Sequence, residues 1–556
     1  MSVDAVIVGS GPGGSTVADV LTAAGWTVTI VEKGRNHLLD PDDLTRPASD
    51  FSNDEIKFHN RYFLGPDPLI EPRTFRTSED DGDHAFVGEV NSVPSTVGGG
   101  GTHADGKVPR FMPDDFRLHS LLGPQPEAAV ADWPVTYDEL EPYYAEVERA
   151  VGVAGTDGAN PFAGPRSGPF PMPSGAAMYG ATLSSAAAER LGYHPYPAPT
   201  AANSVPYDGR PACNNCGFCS YFGCAIHAKG DPVAMLRRAM ATGRAELLPE
   251  TFVSRVRYDG RRSTGVDVVG PDGAERFLPA RHVVLAAGAM ETPRLLLLSG
   301  LEHPVIGRYF MTHFQTIVAG SLPFRTHAER GRAVTHVHDD MIAGDAASRA
   351  AAVEAGLPWI RGGMVEHSGA ALPILEAKIY PWGSSHPELM ADSPIRGRLW
   401  AFIMQGEDLP YAGNRVDLDP SIRDARGFPV ARITYKPGRH ELAASAHFGP
   451  RLAEILTEMG AEWTAVTSSP GIGNASSPEA VPESRHNMGT VRMGTDPATS
   501  AVDPTGRLHG FDNVLVADSS VFPTSSGYGP TLTLVALAAR AAHLLAGTLP
   551  VSPHRA

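Results

Sequence analysis

Cysteine is scarce in this chain: there are four in 556 residues, and all lie between Cys213 and Cys224. It is their clustering, rather than their number, that needs an explanation. Positive charge is also thin. Lys and Arg number 46 against 62 Asp and Glu, a formal net charge of −16, and nucleic acid or an anionic membrane surface would demand clustered basic residues instead. Apolar runs fall short of the roughly 18 residues that a membrane-spanning helix needs. The nearest, "TLTLVALAARAAHLLAG", is interrupted by Arg540 and His543. The opening "MSVDAVIVGSG" passes directly into an apolar strand, which leaves no room for a charged region, an apolar core and a cleavage site. Internal repeats and long low-complexity tracts are absent as well. Together these absences predict a soluble, cytoplasmic protein that acts on a small molecule, with neither nucleic acid nor membrane as partner.

What is present is ordinary globular material, 42% hydrophobic, in a chain too long for one core, so two intimately joined domains are expected. The pattern is α/β, or α+β overall. A strand–turn–helix opens the chain, and Pro-dense segments at 161–173 and 193–211 read as ordered wrapping loops. Strands return from 247 to 299, a helix is expected at "HELAASAHFGPRLAEILTEMG", and the end reads as strand, Ser/Gly loop and helix. The expected fold is a Rossmann-like nucleotide domain assembled from residues 1–35, 85–112, 210–315 and 481–556. A substrate domain with a mixed or antiparallel sheet and helices fills 36–84, 113–209 and 316–480.

The opening carries the clearest chemistry. Gly9, Gly11 and Gly14 stand in Gly-x-Gly-x-x-Gly spacing between an apolar strand and a helix, and a second strand ends at Glu32. Glycines there permit a tight turn and close backbone approach, the helix N-terminus faces a pyrophosphate, and the acid accepts hydrogen bonds from ribose hydroxyls. The loop alone does not separate NAD from FAD. The recurrence of nucleotide-type strands at 282–288 and 514–518 points to FAD, because a nicotinamide dehydrogenase normally keeps its cofactor domain contiguous.

Six stretches, in order, then resemble the glucose–methanol–choline (GMC) family of FAD-dependent oxidoreductases: "VIVGSGPGGSTVA", "VGGGGTH", "VVLAAGAMETPRLLLLSG", "GRYFMTHF", "HNMGTVRMGTDPATSAVDPTGRLHGFDNVLVADSSVFP" and "GPTLTLVALAARAA". The likeness is greatest to the sugar-oxidising branches. It implies that His486 lies over the flavin as general base, since an imidazole with an ordinary pKa near 6.5 can take a hydroxyl proton at neutral pH. The Asn or His that usually pairs with this base is replaced by Gly529, so Tyr528 or Asn487 become candidates to take its place. The resemblance further implies that Asp518 hydrogen-bonds the ribityl or pyrophosphate region. It also implies that Thr531 opens a helix whose amides face the flavin ring. Gly98 and Gly99 would let the backbone pass close to the ring. Thr102, Val253 and Ala287 complete the expected cofactor wall, and His103 sits where some members bond the flavin covalently.

For Cys213, Cys216, Cys219 and Cys224 three readings stay open: an iron–sulfur cluster, zinc, or structural cysteines. A cytoplasmic address weighs against stable disulfides among them. The expected activity is FAD-dependent oxidation of an alcohol group on a sugar, glycoside or polyol, with oxygen or another electron acceptor. The alternatives are a steroid or long-chain alcohol oxidoreductase, a hydroxynitrile lyase with a silent flavin, and a catalytic subunit passing electrons to a partner through a cluster. Trp359, Trp382 and Trp400 are candidates to stack on a sugar ring or to fill the core.

Overall fold

The structure, a computed structural model, describes residues 2–46, 48, 67–91, 93–217, 219, 223–328, 330–342, 344–368, 380–393, 395–468 and 484–551. Its nucleotide sheet has seven strands. Val3–Val8 lies in parallel between Val28–Val31 and the second half of Glu275–Leu285. Ala245–Leu248 extends one edge, and Val514–Val516 pairs in parallel with Val283 to Leu285 on the other side. The first half of Glu275–Leu285 turns instead into an antiparallel meander with Arg262–Val269 and Phe252–Asp259. Val28–Val31 and Val514–Val516 are buried at every position, as continuous apolar runs in a doubly covered parallel sheet should be.

Helices Pro12–Ala23 and Thr531–Ala546 pack together against this sheet. Helix Pro232–Ala241, with Asp231 accepting from Val233 N and proline at its first position, lies on the first of them. The strand expected at 282–288 ends at Leu285, because Gly288, at φ +86°, turns the chain into helix Gly288–Leu298.

The second sheet is antiparallel and six-stranded, in the order Trp463–Ser468, Phe314–Ser321, Leu399–Gly406, Val365–Ser368, Val334–His338 and Tyr196–Pro197. Its outer face is covered by the helix expected near 440–460, observed as Arg439–Glu458, whose Phe448, Leu452, Ile455 and Leu456 join Val318, Phe402 and Met404 in one core. A four-stranded sheet joins Arg415–Arg423, Pro429–Thr434, Arg73–Arg76 and Phe86–Gly88. The last of these strands falls in the 85–112 segment expected in the cofactor domain, yet it pairs with Arg73–Arg76. No helix among the described residues is long and apolar enough to cross a membrane.

Candidate active site

A cavity of about 530 Å³ runs from the first Gly-rich loop to the inner face of the six-stranded sheet. Its nucleotide end is shaped by backbone approach. Gly9 adopts φ +97°, and a Cβ there would lie 2.5 Å from the Ala286 carbonyl oxygen; one on Gly14 would lie 1.9 Å from that of Gly9. Gly11 differs, since nothing in the protein comes within 4 Å of where its Cβ would stand and it lines the cavity. Glu32, buried on the same wall, accepts from Ser10 N at 3.0 Å, Ser10 Oγ at 2.7 Å and Gly34 N at 2.8 Å. Ser10 Oγ in turn accepts from Gly98 N at 3.0 Å. One small hydroxyl thus ties the first loop, the acid and the second Gly-rich stretch together.

Gly99, His103, Val253, Ala287, Asp518 and Thr531 also line this cavity. Asp518 accepts from Gly288 N and Thr292 Oγ1 on one oxygen and from Ser520 N on the other. Its carboxylate therefore braces the start of helix Gly288–Leu298. Gly98, at φ +88°, and Thr102, whose Oγ1 donates to Gly99 O, shape the short turn Gly99–Thr102 from behind the wall.

At the other end, alternation along three paired strands brings one face of the sheet to the cavity. Gln315 and Ile317 come from one strand, Ile403 and Gln405 from the next, Glu366 and Ser368 from the third. Gln315 Nε2 donates to Gln405 Oε1 at 3.0 Å, and Gln405 Nε2 donates to Glu366 Oε1 at 2.6 Å. Lys107 forms an ion pair with the same Glu366 oxygen and a second with Asp105 at 3.2 Å. Burial pulls the Lys107 ammonium down, but Asp105 and Glu366 together outweigh it and hold the group above its ordinary range.

His486 is half-buried and lines the cavity beside this polar row. Its Nδ1 lies 2.9 Å from Nδ1 of the fully buried His313, the two rings standing at 87° to one another. Burial, then His313 and the charges of Lys107 and Arg485, hold the His486 imidazole well below its ordinary 6.5. A cavity with a dinucleotide cradle at one end and a neutral imidazole above a polar floor at the other suits hydride and proton removal from an alcohol.

Two family profiles described as GMC oxidoreductase match residues 129–315 and 410–538. A gluconate 2-dehydrogenase flavoprotein from Pantoea cypripedii is 30% identical, over 96% of this chain and 92% of its own length. The chain is a GMC oxidoreductase. A fructose dehydrogenase large subunit from Gluconobacter japonicus is 29% identical over 99% of this chain and 98% of its own. Among solved structures, pyridoxine 4-oxidase from Mesorbium loti shares the fold, with a TM-score of 0.64 at 19% identity, covering 99% of this chain and 100% of that one.

Membership makes this GMC oxidoreductase an FAD-dependent alcohol oxidoreductase. The cradle fits the cofactor: its wall is open where Gly11 lacks a side chain, and Glu32 stands beside it. Gly529 does not line the cavity, but a Cβ on it would lie 3.9 Å from His486 Cε1. Both proposed substitutes are engaged in hydrogen bonds of their own. Asn487 lines the cavity, but its amide exchanges hydrogen bonds with that of Asn91, at 3.1 and 3.2 Å.

Tyr528 is fully buried outside this cavity and donates to Asp339 Oδ2 at 2.6 Å. Asn160 and Tyr196 donate to the same oxygen at 2.7 and 2.8 Å. Tyr528 thus anchors the Ser/Gly loop that leads to Thr531. Burial pushes the Asp339 carboxyl up to about 6, against these three donors. Because that lies above its ordinary 3.8, the folded state holds the proton more tightly, and this group's contribution to stability is lost as pH rises through about 6. Asp339→Asn keeps an acceptor and removes the buried charge, so thermal melts at pH 8 should show it at least as stable as the parent. Asp339→Ala strands three buried donors and is expected to cost about 2–4 kcal/mol. Equal losses in the two variants would remove Asp339 as the anchor of the loop.

None of the three tryptophans lines the cavity among the described residues. Trp359 and Trp400 are core, and Trp382 is exposed, stacked on His386. The four cysteines carry no disulfide. Among the described residues no three His, Cys, Asp or Glu side chains gather as they would around a metal. Sequence reasoning missed His313, although it lies in the quoted "GRYFMTHF", and it missed Ser10 inside the glycine motif. Gln315, Glu366 and Gln405 carry no local signal, because only the sheet register brings them together, and Lys107 reaches them from a separate loop by its ion pair with Glu366.

Proposed function

We propose that this enzyme oxidises a hydroxyl of a polyhydroxylated substrate, a sugar, glycoside or polyol, to a ketone or aldehyde, with His486 as the base that takes the hydroxyl proton. The observation that carries this reading is the polar row of Gln315, Gln405 and Glu366 on the sheet face beside His486. Such a row offers hydrogen-bond partners to several hydroxyls at once, and it would leave costly unpaired groups against a steroid or a long alkyl chain. The gluconate and fructose dehydrogenases among the relatives support the same substrate class.

Bound FAD supplies the hydride acceptor. The chain's own groups do the rest. The amides and side chains of the row hold hydroxyls next to the one being oxidised, and the Lys107–Glu366 pair keeps that row in one arrangement. His486 meets the reacting hydroxyl with a bare nitrogen.

Anaerobic mixing of the yellow enzyme with glucose, fructose, gluconate, sorbitol, a methyl glucoside, a long-chain alcohol and cholesterol tests the reading. Bleaching is expected with members of the hydroxylated set. Bleaching by cholesterol or the long-chain alcohol alone would overturn it, as would cleavage of a hydroxynitrile without any bleaching. Oxygen uptake and iron content in the same preparation distinguish an oxidase from a subunit that passes electrons through Cys213 to Cys224. Acid precipitation of the parent and of His103→Ala shows whether the flavin is held covalently and whether His103 holds it.

A further inference from the structure

We infer that His313 is a positioning residue that fixes the tautomer of His486, accepting its Nδ1–H so that Nε2 is left bare for the substrate. This rests on His486 being the base. The contact is between two Nδ1 atoms 2.9 Å apart, so one ring must donate and the other accept. The two possibilities have opposite consequences. If His313 donated, neutral His486 would carry its proton on Nε2 and could not accept another there. If His486 donates, its Nε2 holds a lone pair and can take the hydroxyl proton.

The role of His486 as base decides between them: its Nδ1 is the atom held against His313, so only a proton there leaves Nε2 bare for the hydroxyl. The ring is fully buried, and its Nε2 meets no partner at full hydrogen-bond geometry. Burial holds the His313 imidazole down at about 4, so the ring is neutral at neutral pH and one of its nitrogens is bare. A neutral His313 with its proton on Nε2 has a bare Nδ1, so it accepts from His486.

His313 does not line the cavity. It acts through His486 and not on the substrate itself. When the substrate O–H bond breaks and an N–H bond forms at His486 Nε2, the resulting imidazolium keeps its Nδ1–H on the His313 lone pair. The geometry that prepares the base therefore also stabilises its product.

Two readouts test this on the FAD-loaded enzyme. The first is nitrogen NMR of protein labelled with ¹⁵N-histidine, with the two rings identified by comparison with His486→Asn and His313→Asn. The expected spectrum has His486 protonated on Nδ1 and bare on Nε2, with His313 the reverse; a His486 Nε2–H signal would overturn the inference.

The second is anaerobic flavin reduction by whichever sugar or polyol of the panel bleaches the parent enzyme. His313→Leu removes the acceptor and is expected to slow reduction about 10-fold or more with KM little changed. His313→Asn, whose amide oxygen can replace the lost nitrogen, should restore most of the rate. A leucine variant as fast as the parent, or an asparagine variant no better than leucine, would also overturn the assignment. The base reading itself fails in a different experiment, namely if His486→Ala reduces its flavin at the parental rate.

Discussion

His486→Ala is expected to slow flavin reduction by the substrate alcohol about 10²- to 10⁴-fold, the span a positioned base supplies, equivalent to about 3–5 kcal/mol of barrier. The loss should fall on the reduction step, because on the proposed reading Gln315, Gln405 and Glu366 would hold the neighbouring hydroxyls, and the substitution leaves them in place. The pH profile carries its own sign. Burial, His313, Lys107 and Arg485 keep the imidazole well below 6.5, so it is already unprotonated at neutral pH. The parental rate should be flat from about 6.5 upward and fall only on the acid side, as protonation removes the lone pair. Stopped-flow reduction with and without the substitution, across that range, checks both parts. An unchanged rate in the variant removes His486 from the chemistry, and a parental rate that climbs steadily above pH 7 shows that some other group titrates.

How much of this was legible beforehand depends on the range over which each feature is encoded. The dinucleotide cradle is local: Gly9, Gly11, Gly14 and Glu32 are set by the spacing of one strand, turn, helix and strand, and all but Gly14 reach the cavity wall. The split of the nucleotide sheet was legible too, because Val283 to Leu285, at the end of strand Glu275–Leu285, and Val514–Val516 are buried apolar runs of the parallel type. The substrate floor was not. Gln315 and Gln405 face one another 90 residues apart, and each is an ordinary polar residue on a half-buried strand until register places it.

Tyr528 shows a different limit. Its position beside Gly529 suggested catalysis, but a phenol can satisfy a buried carboxylate equally well, and only the three-dimensional location of Asp339 decides which it does. His313 was hidden for a related reason: its partner lies 173 residues away. No periodicity relates "MTHF" to "RHNMG".

Within the first loop, two glycines on either side of Pro12 should give opposite results, and the contrast separates fold from cofactor. A Cβ on Gly13 would lie 1.7 Å from the carbonyl oxygen of Ala517, where the first helix crosses the last segment of the nucleotide domain. Both parties are backbone, so neither can swing aside. Gly13→Val should push helix Pro12–Ala23 off the turn that holds Asp518, costing at least the roughly 1–3 kcal/mol of an overpacked core. The cofactor-free variant should melt well below the parent and bind little FAD.

Gly11 has φ −65° and open space at its Cβ position, so Gly11→Ala strains nothing and should leave the melting of the cofactor-free protein within about 0.5 kcal/mol of the parent. Its methyl group stands in the cavity, at the helix N-terminus where a pyrophosphate would be received. FAD affinity is therefore expected to fall about 10-fold or more, roughly 1.4 kcal/mol. Flavin titration by fluorescence and thermal melts of the cofactor-free proteins measure the two effects separately. If Gly11→Ala binds FAD as tightly as the parent, the cradle does not receive the cofactor there; if it unfolds instead, the loop is packed more tightly than its geometry shows.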